Sequence, residues 1–370
     1  MAYDRNKPYN NLPLLPTKDP IHQDIEVLNK LVSASRALAT VNINIMRLPN
    51  PLMLVNTIAL QEAKESTAIE NIFTTDDELY KAASETIQET KANTSTKEVL
   101  RYREALWAGY AHLKEKGRID KDAIIDIFRA VKDNTTIGIR SDASQTVIKR
   151  GQSEFRAGEV VYTPPRGTVI IEKLIANLLE YMQNDEDYPI DPLIKMCVAH
   201  YQFEAIHPFH DGNGRTGRIL NLLFLIEKGL LLQPALYLSK YIVAYKDDYY
   251  FHLGAVTQRG QWKNWVLYML EATEKSAQLT NELINNIIKQ MEATLAYGKE
   301  RIKWYTKEIN ELVFSQPYIR PSLIADFLQI KSRTTITAYF KEMVAAQILS
   351  EKKVGREVFY INHELVDILA

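Results

Sequence analysis

The chain of 370 residues lacks most of the features that would set it apart from an ordinary globular protein. It has one cysteine, Cys197, inside the apolar run IKMCVAHY. One thiol closes no internal disulfide, so no oxidising compartment is required. The residue reads as a small buried hydrophobe rather than a nucleophile. Long apolar runs are also missing. The best candidate, ILNLLFLIEKGLLL, is interrupted by Glu227 and Lys228 and falls short of a bilayer span. Formal net charge is -1, which excludes a global bias toward nucleic acid or anionic membrane. The N-terminal MAYDRNKPYNNLPLLP is polar and broken by prolines, with no apolar core of signal-peptide length. The expectation is a cytoplasmic chain with no membrane partner. There is no internal repeat, no low-complexity segment and no P-loop lysine pattern.

What is present is helical periodicity. The hydrophobic fraction of 46% supplies a sizeable core, and the length suggests two or three domains. Residues 1 to about 20 form an irregular arm with Pro8, Pro13, Pro16 and Pro20. Apolar residues then recur at helical spacing from Ile21 to Met46, and helical patterns continue from Leu54 to Phe73 and beyond. Residues 134 to 169 differ, being rich in Thr, Gly, Ser and β-branched residues. They end in GEVVYTPPRG, read as a short hairpin. In the last seventy residues, three helical stretches precede two short strands around Gly355, the pattern of a winged helix-turn-helix. The fold class is mainly α.

The chemistry concentrates in HPFHDGNGRTGR, His207 to Arg218. The stretch opens a helix, where unpaired N–H groups and the helix dipole favour an anion. Gly212 and Gly214 let several N–H groups converge on one phosphate. Asp211 would repel phosphate, so its sensible role is to hold a divalent cation, Mg²⁺ with several waters retained. Arg215 and Arg218 lie on one side of the new helix and suit polyphosphate oxygens. His207 is the nearby group that titrates near neutral pH and can take a proton from an attacking hydroxyl. Phe209 anchors the loop in the core.

These residues fill every fixed position of the Fic-domain signature, which the segment resembles; the lead-in HYQFEAIHPF is similar too, with His200 and Glu204 read as supporting residues. The resemblance implies a Fic helical core and transfer of AMP from ATP to a Ser, Thr or Tyr hydroxyl of a protein. By that analogy His207 is the general base and Asp211 holds Mg²⁺. Gly212, Asn213 and Gly214 cradle the α- and β-phosphates, Arg215 supports them, Arg218 takes the γ-phosphate, and Thr216 and Gly217 complete the stretch. Glycine at 214, where the phosphotransferase branch of the family carries lysine, favours adenylylation. The resemblance also implies pairing of two copies through core helices.

STAIEN, residues 66 to 71, resembles the family's inhibitory helix, with Ser66, Glu70 and Asn71 at its fixed positions. Ser66 and Glu70 share a helix face, and Glu70 is expected to pair with Arg218 in the place of the γ-phosphate. The same glutamate serves AMP removal in some family members. GEVVYTPPRG resembles the family's flap, with Val160, Val161 and Tyr162 as target contacts by strand addition. Adenine contacts are expected at Tyr249, Tyr250 and Thr257.

The expected organisation is an arm and helix (1–54) and a Fic core (55–275). The core holds the inhibitory helix (62–73), the flap (156–167) and the active-site loop (207–218). A connecting helix (276–300) and the winged-helix-like module (301–370) follow. A competing reading is a nucleotide-sensing, DNA-binding regulator acting through that module. Its Lys331, Arg333, Lys341, Lys352, Lys353 and Arg356 are balanced by Glu342, Glu351 and Glu357, a weak basic bias for a DNA surface. Docking or target selection is the favoured role.

Overall fold

The computed structural model describes residues 3–48, 51–84, 92–143, 146–149, 158–354 and 357–370. Two helices form its centre: α7 (Pro192–Ile206) and α8 (Asn213–Glu227). Both are buried on nearly every face, as expected of helices apolar all round. Asp191 caps α7, accepting from the Leu193 N–H, and Pro192 occupies the first turn, where its missing donor costs nothing. Cys197 is fully buried and its backbone carbonyl accepts from the Trp265 indole N–H at 2.7 Å, so the thiol is core material.

Around this pair stand α1 (Ile25–Met46), α2 (Pro51–Ile69), α3 (Asp76–Ser84), α4 (Thr94–Lys116), α5 (Lys121–Lys132) and α6 (Thr168–Gln183). After α8 come α9 (Leu238–Ala244), α10 (Lys246–Arg259) and the forty-residue α11 (Trp262–Arg301), which packs along α1. Two sequence boundaries fall inside continuous helices. Position 54 lies within α2, which begins at Pro51, and the supposed start of a connecting helix at 276 lies within α11.

The flap is a minimal antiparallel pair, β1 (Ile148–Lys149) with β2 (Val160–Tyr162). Its expected residues 156 and 157 lie outside the described residues. The N-terminal arm packs on it. Tyr9 N–H donates to the Thr163 carbonyl at 3.1 Å, the Thr163 hydroxyl donates to the Arg5 carbonyl at 2.6 Å, and the Tyr3 ring stacks on Tyr162.

The C-terminal unit comprises α12 (Lys307–Val313), β3 (Tyr318–Ile319), α13 (Pro321–Phe327), α14 (Arg333–Ala345), β4 (Ser350–Val354), β5 (Glu357–Ile361) and α15 (His363–Leu369). Its antiparallel sheet has the order β3-β5-β4. Gly355 and Arg356, between β4 and β5 in the chain, lie outside the described residues. No helix among the described residues is long and apolar enough to cross a membrane.

Candidate active site

The α7–α8 connection is closed by its own side chains. His207 ends α7 in the left-handed region at φ 50°, its N–H bonded to the Phe203 carbonyl. A non-glycine residue adopts that conformation only when its surroundings hold it there. Here Arg140, 1% exposed, supplies the hold. Its Nε donates to the His207 carbonyl at 2.8 Å, and its Nη2 donates to the carbonyls of Ile206 (3.3 Å) and Pro165 (2.9 Å). One guanidinium therefore ties the loop to the end of the flap. Phe209 stacks on Phe128 with ring centroids 3.7 Å apart, which fixes it as the anchor expected.

The Asn213 amide grips Phe209 at both ends, Oδ1 accepting its N–H and Nδ2 donating to its carbonyl, each at 2.9 Å. Gly212 takes φ 79°, a conformation that favours glycine, and its N–H donates to the Asp211 carboxylate at 2.8 Å. The Thr216 hydroxyl donates back to the Gly212 carbonyl. The first helical bond of α8 runs from the Thr216 N–H to the Gly212 carbonyl, so the N–H groups of residues 213–215 precede the ladder. The Asn213 and Thr216 side chains thus shape the loop, which leaves the backbone N–H groups of 213–215 for the cradle expected of Gly212, Asn213 and Gly214.

Burial pushes the His207 imidazole down to about 4, with repulsion from Arg140 adding to it and Asp211 opposing it. The ring is neutral at physiological pH, although the Glu204 backbone beside it opposes the fall. A neutral imidazole is the form that accepts a proton.

Arg215 and Arg218 are nearly fully buried, at 1% and 2% exposure. Arg218 is gripped through Nε and Nη2 by the segment predicted to inhibit. Its Nε donates to the Ser66 hydroxyl at 2.6 Å, and its Nη2 donates to the Ser66 carbonyl at 2.9 Å and to Glu70 Oε1 at 3.0 Å. Burial disfavours the charge, but Glu70, Tyr102, Tyr249 and Glu204 together outweigh it and hold the guanidinium firmly protonated. Glu70 Oε2 also lies 2.7 Å from Arg215 Nε, an ion pair without hydrogen-bond alignment. Gly214 makes this possible: a Cβ there would sit 2.8 Å from Arg218 Nη1 and 2.9 Å from Glu70 Oε1.

The inhibitory helix is shorter than expected. α2 stops at Ile69, because Asn71 turns the chain through φ 62° while its N–H bonds the Ala68 carbonyl and Ile72 N–H bonds the Thr67 carbonyl. Glu70 therefore hangs from the cap of α2. Asn tolerates the left-handed turn that most residues resist, and its side chain accepts from Lys246 at 3.0 Å.

Asp211 is the exposed carboxylate of the loop, with 64% of its side chain accessible. Oδ2 accepts from Lys132 at 2.7 Å, and Arg215 Nη2 stands 3.9 Å away. Burial alone would raise its carboxyl; Lys132 outweighs that and keeps it below the ordinary range. An exposed carboxylate oxygen is the donor type a hard cation takes, and a cation at Oδ2 would displace Lys132. No cluster of three or more His, Cys, Asp or Glu side chains among the described residues could hold a metal without help from a substrate.

Three expected contacts need correction. Tyr162 is 8% exposed and its hydroxyl donates to the Ala205 carbonyl at 2.7 Å, so the side chain braces α7 instead of facing a target; Val160 and Val161 remain half-buried. Strand geometry sends the Val161 side chain to the face opposite Tyr162. Tyr249 is 2% exposed with its hydroxyl 2.9 Å from His200 Nε2, and the Thr257 hydroxyl lies 2.9 Å from the Tyr201 hydroxyl. Both serve the interior. Tyr250 stays half-exposed.

The structure also brings in residues that the motifs did not point to. Glu98 pairs with Arg215 Nη1, and Glu62 accepts from the Ser239 N–H at 2.9 Å and from its hydroxyl. Burial pushes Glu62 up to about 8 and Glu204 up to about 7. Glu62 precedes Ser66 by one turn on the same helix face, a usable signal. Arg140, a single cation in TTIGIRSD, and Lys132 gave none.

Three family models match the chain: the Fic/DOC family N-terminal model over residues 28–111, the Fic/DOC family model over 118–225, and the C-terminal domain of SoFic-like protein adenylyltransferases over 287–365. The protein adenylyltransferase fic-1 of Caenorhabditis briggsae is 28% identical over 165 residues, covering 45% of this chain and 29% of that protein. A probable protein adenylyltransferase of Aquifex aeolicus is 38% identical over 86 residues, covering 23% of this chain and 26% of its own. The chain thus spans less than a third of the length of these curated relatives. In fold it is similar to a Fic family protein from Desulfovibrio desulfuricans, with TM-score 0.58, 19% identity and coverage of 94% of this chain and 98% of that one. It is also similar to Fic-1 of Caenorhabditis elegans, with TM-score 0.51, 21% identity and coverage of 73% and 75%.

Proposed function

We propose, for a chain that belongs to the Fic/DOC family, that it is a protein adenylyltransferase held inactive by Glu70. The observation that carries this reading is the convergence of two buried guanidiniums and the N-terminus of α8 beside a neutral His207, with Glu70 occupying both guanidiniums.

In the proposed reaction the triphosphate of ATP lies along the start of α8. The N–H groups of residues 213–215 face the phosphates, with Gly214 leaving room beside Arg218. Arg218 takes the γ-phosphate and Arg215 the bridging side. A target Ser, Thr or Tyr hydroxyl attacks the α-phosphorus in line. The bond from that phosphorus to the β-phosphate oxygen breaks and pyrophosphate leaves. His207 takes the hydroxyl proton. Asp211 would hold Mg²⁺, and when bound that ion supplies charge neutralisation between phosphates. Lys132 holds the carboxylate ready in its absence. Val160 and Val161 offer flap backbone to the target, and Tyr250 is the remaining adenine contact.

Glu70 opposes all this by geometry. Its carboxylate and Ser66 consume the donors of Arg218 that a γ-phosphate needs. A role for Glu70 in AMP removal is part of the same proposal.

The DNA-binding alternative is not favoured. Lys352, one of its basic residues, is spent on Asp77 at 2.6 Å inside the chain. Mass spectrometry of a lysate treated with the Glu70→Gly variant and ATP tests the proposal. An AMP adduct on a Ser, Thr or Tyr of a defined protein is expected. A phosphate adduct, or no adduct on any protein including the enzyme, would overturn it.

A further inference from the structure

The segment that carries Glu70 is held from both sides. Upstream, α2 reaches the C-terminal unit directly: the buried Thr57 hydroxyl donates to the Ser315 carbonyl at 3.0 Å. Downstream, the chain turns at Asn71 and enters α3, whose first two residues point to different neighbours. Asp76 faces back to α2 and accepts from Lys64 at 2.8 Å and from Gln61 at 3.2 Å. Asp77 faces the C-terminal sheet. Its Oδ1 accepts from the Tyr318 hydroxyl of β3 at 2.5 Å and from Lys352 of β4 at 2.6 Å, while Lys81 holds Oδ2 at 2.6 Å. Tyr80 and Tyr318 pack with ring centroids 5.8 Å apart beside this contact. Burial works against the Asp77 charge, but Lys352, Lys81 and Tyr318 outweigh it and hold the carboxyl well below the ordinary range.

β3 and β4 are joined through β5 into one sheet, so Tyr318 and Lys352 move together. The turn bearing Glu70 is suspended between two elements, α2 and α3, and both are fastened to that C-terminal unit. We infer that the C-terminal unit braces the inhibitory turn through Asp77, so that whatever draws Tyr318 and Lys352 away from α3 loosens Glu70 from Arg215 and Arg218. The inference rests on the braking role proposed for Glu70. Its physical content is a coupling between two distant sites, and coupling is reciprocal: nucleotide bound at α8 weakens the grip on Asp77 by the same factor that release of Asp77 strengthens nucleotide binding. About two-fifths of each of the Asp77 and Lys352 side chains is exposed, which leaves the contact open to competition by a docking partner.

The test uses the full chain with Lys352→Ala and Tyr318→Phe, each alone and combined with Glu70→Gly. Both single variants are expected to bind ATP about fivefold more tightly than wild type, in the usual range for coupled sites. Neither is expected to add anything once Glu70 is glycine. If Glu70→Gly tightens ATP binding and the module variants do not, the brace is refuted. An equal gain in the Glu70→Gly background would also refute it, since the effect would then bypass the brake. Should Glu70→Gly itself leave ATP binding unchanged, the braking role fails, and amide hydrogen exchange without nucleotide decides the brace separately. Residues 66–75 should then exchange faster in Lys352→Ala than in wild type, and unchanged protection there would overturn it.

Discussion

The two carboxylate oxygens of Glu70 reach two different arginines of one helix turn: Oε2 lies 2.7 Å from Arg215 Nε and Oε1 lies 3.0 Å from Arg218 Nη2. The resemblance of STAIEN to the family's inhibitory helix pointed to the second partner. The first follows from the three-residue offset that puts both guanidiniums on one side of α8. One carboxylate therefore engages both guanidiniums at once.

Glu70→Gly is expected to tighten ATP binding and raise AMP transfer by about tenfold to a hundredfold, in the range of a strong coupling free energy. Ser66→Ala should give a smaller gain, since it removes one acceptor of Arg218 and leaves its carbonyl in place. Titration calorimetry with ATP and a radiolabelled transfer assay measure the two quantities. Wild-type behaviour in the glycine variant would remove the brake from the account.

His207→Ala should abolish transfer, a loss of at least about a hundredfold, while ATP still binds. The pH profile carries a sharper prediction. Burial lowers the imidazole to about 4, so the proton-accepting form is present at all pH values above that. The acid limb of kcat/KM in the Glu70→Gly background should lie well below the ordinary histidine value of about 6.5. A limb at 6.5 would contradict the buried, neutral placement.

Arg140→Ala should cost about 3 kcal/mol of stability, because it leaves buried carbonyls of His207, Ile206 and Pro165 without this donor. It should also raise the acid limb of activity, since Arg140 repels the His207 proton. Urea unfolding and the same pH profile check the two effects.

Glu62 and Glu204 predict how stability follows pH. Their folded-state carboxyls are raised by burial to about 8 and about 7. Each therefore stabilises the fold fully below the ordinary carboxyl range, and that stability is lost as pH rises through 7 and 8. Wild type should lose on the order of 2 kcal/mol from Glu62 between pH 6 and 9. Glu62→Gln should show a flatter dependence in denaturant titrations at the two pH values.

The chain's local code was enough for the helices and the loop, while the expected helix 62–73 overran the turn at Asn71. Apolar spacing marks α1, α4, α5 and α6, and HPFHDGNGRTGR names its own anchor, hinge and guanidiniums. STAIEN even contains the reason α2 stops, since Asn71 accepts the left-handed turn. All of this depends on residues a few positions apart, where backbone geometry fixes who faces whom. What the sequence could not state is which groups meet across long separations. Arg140 finds His207 from 67 positions away, Glu98 finds Arg215 from 117, and Asp77 finds Lys352 from 275. Nor could it foresee that Tyr162 and Tyr249 turn inward, because an aromatic side chain with a hydroxyl fits a core as well as a binding wall once a partner is in reach. Those choices are made by packing: with α7 and α8 buried on nearly every face, a polar group beside them gains by meeting a partner, and tertiary structure alone decides which one.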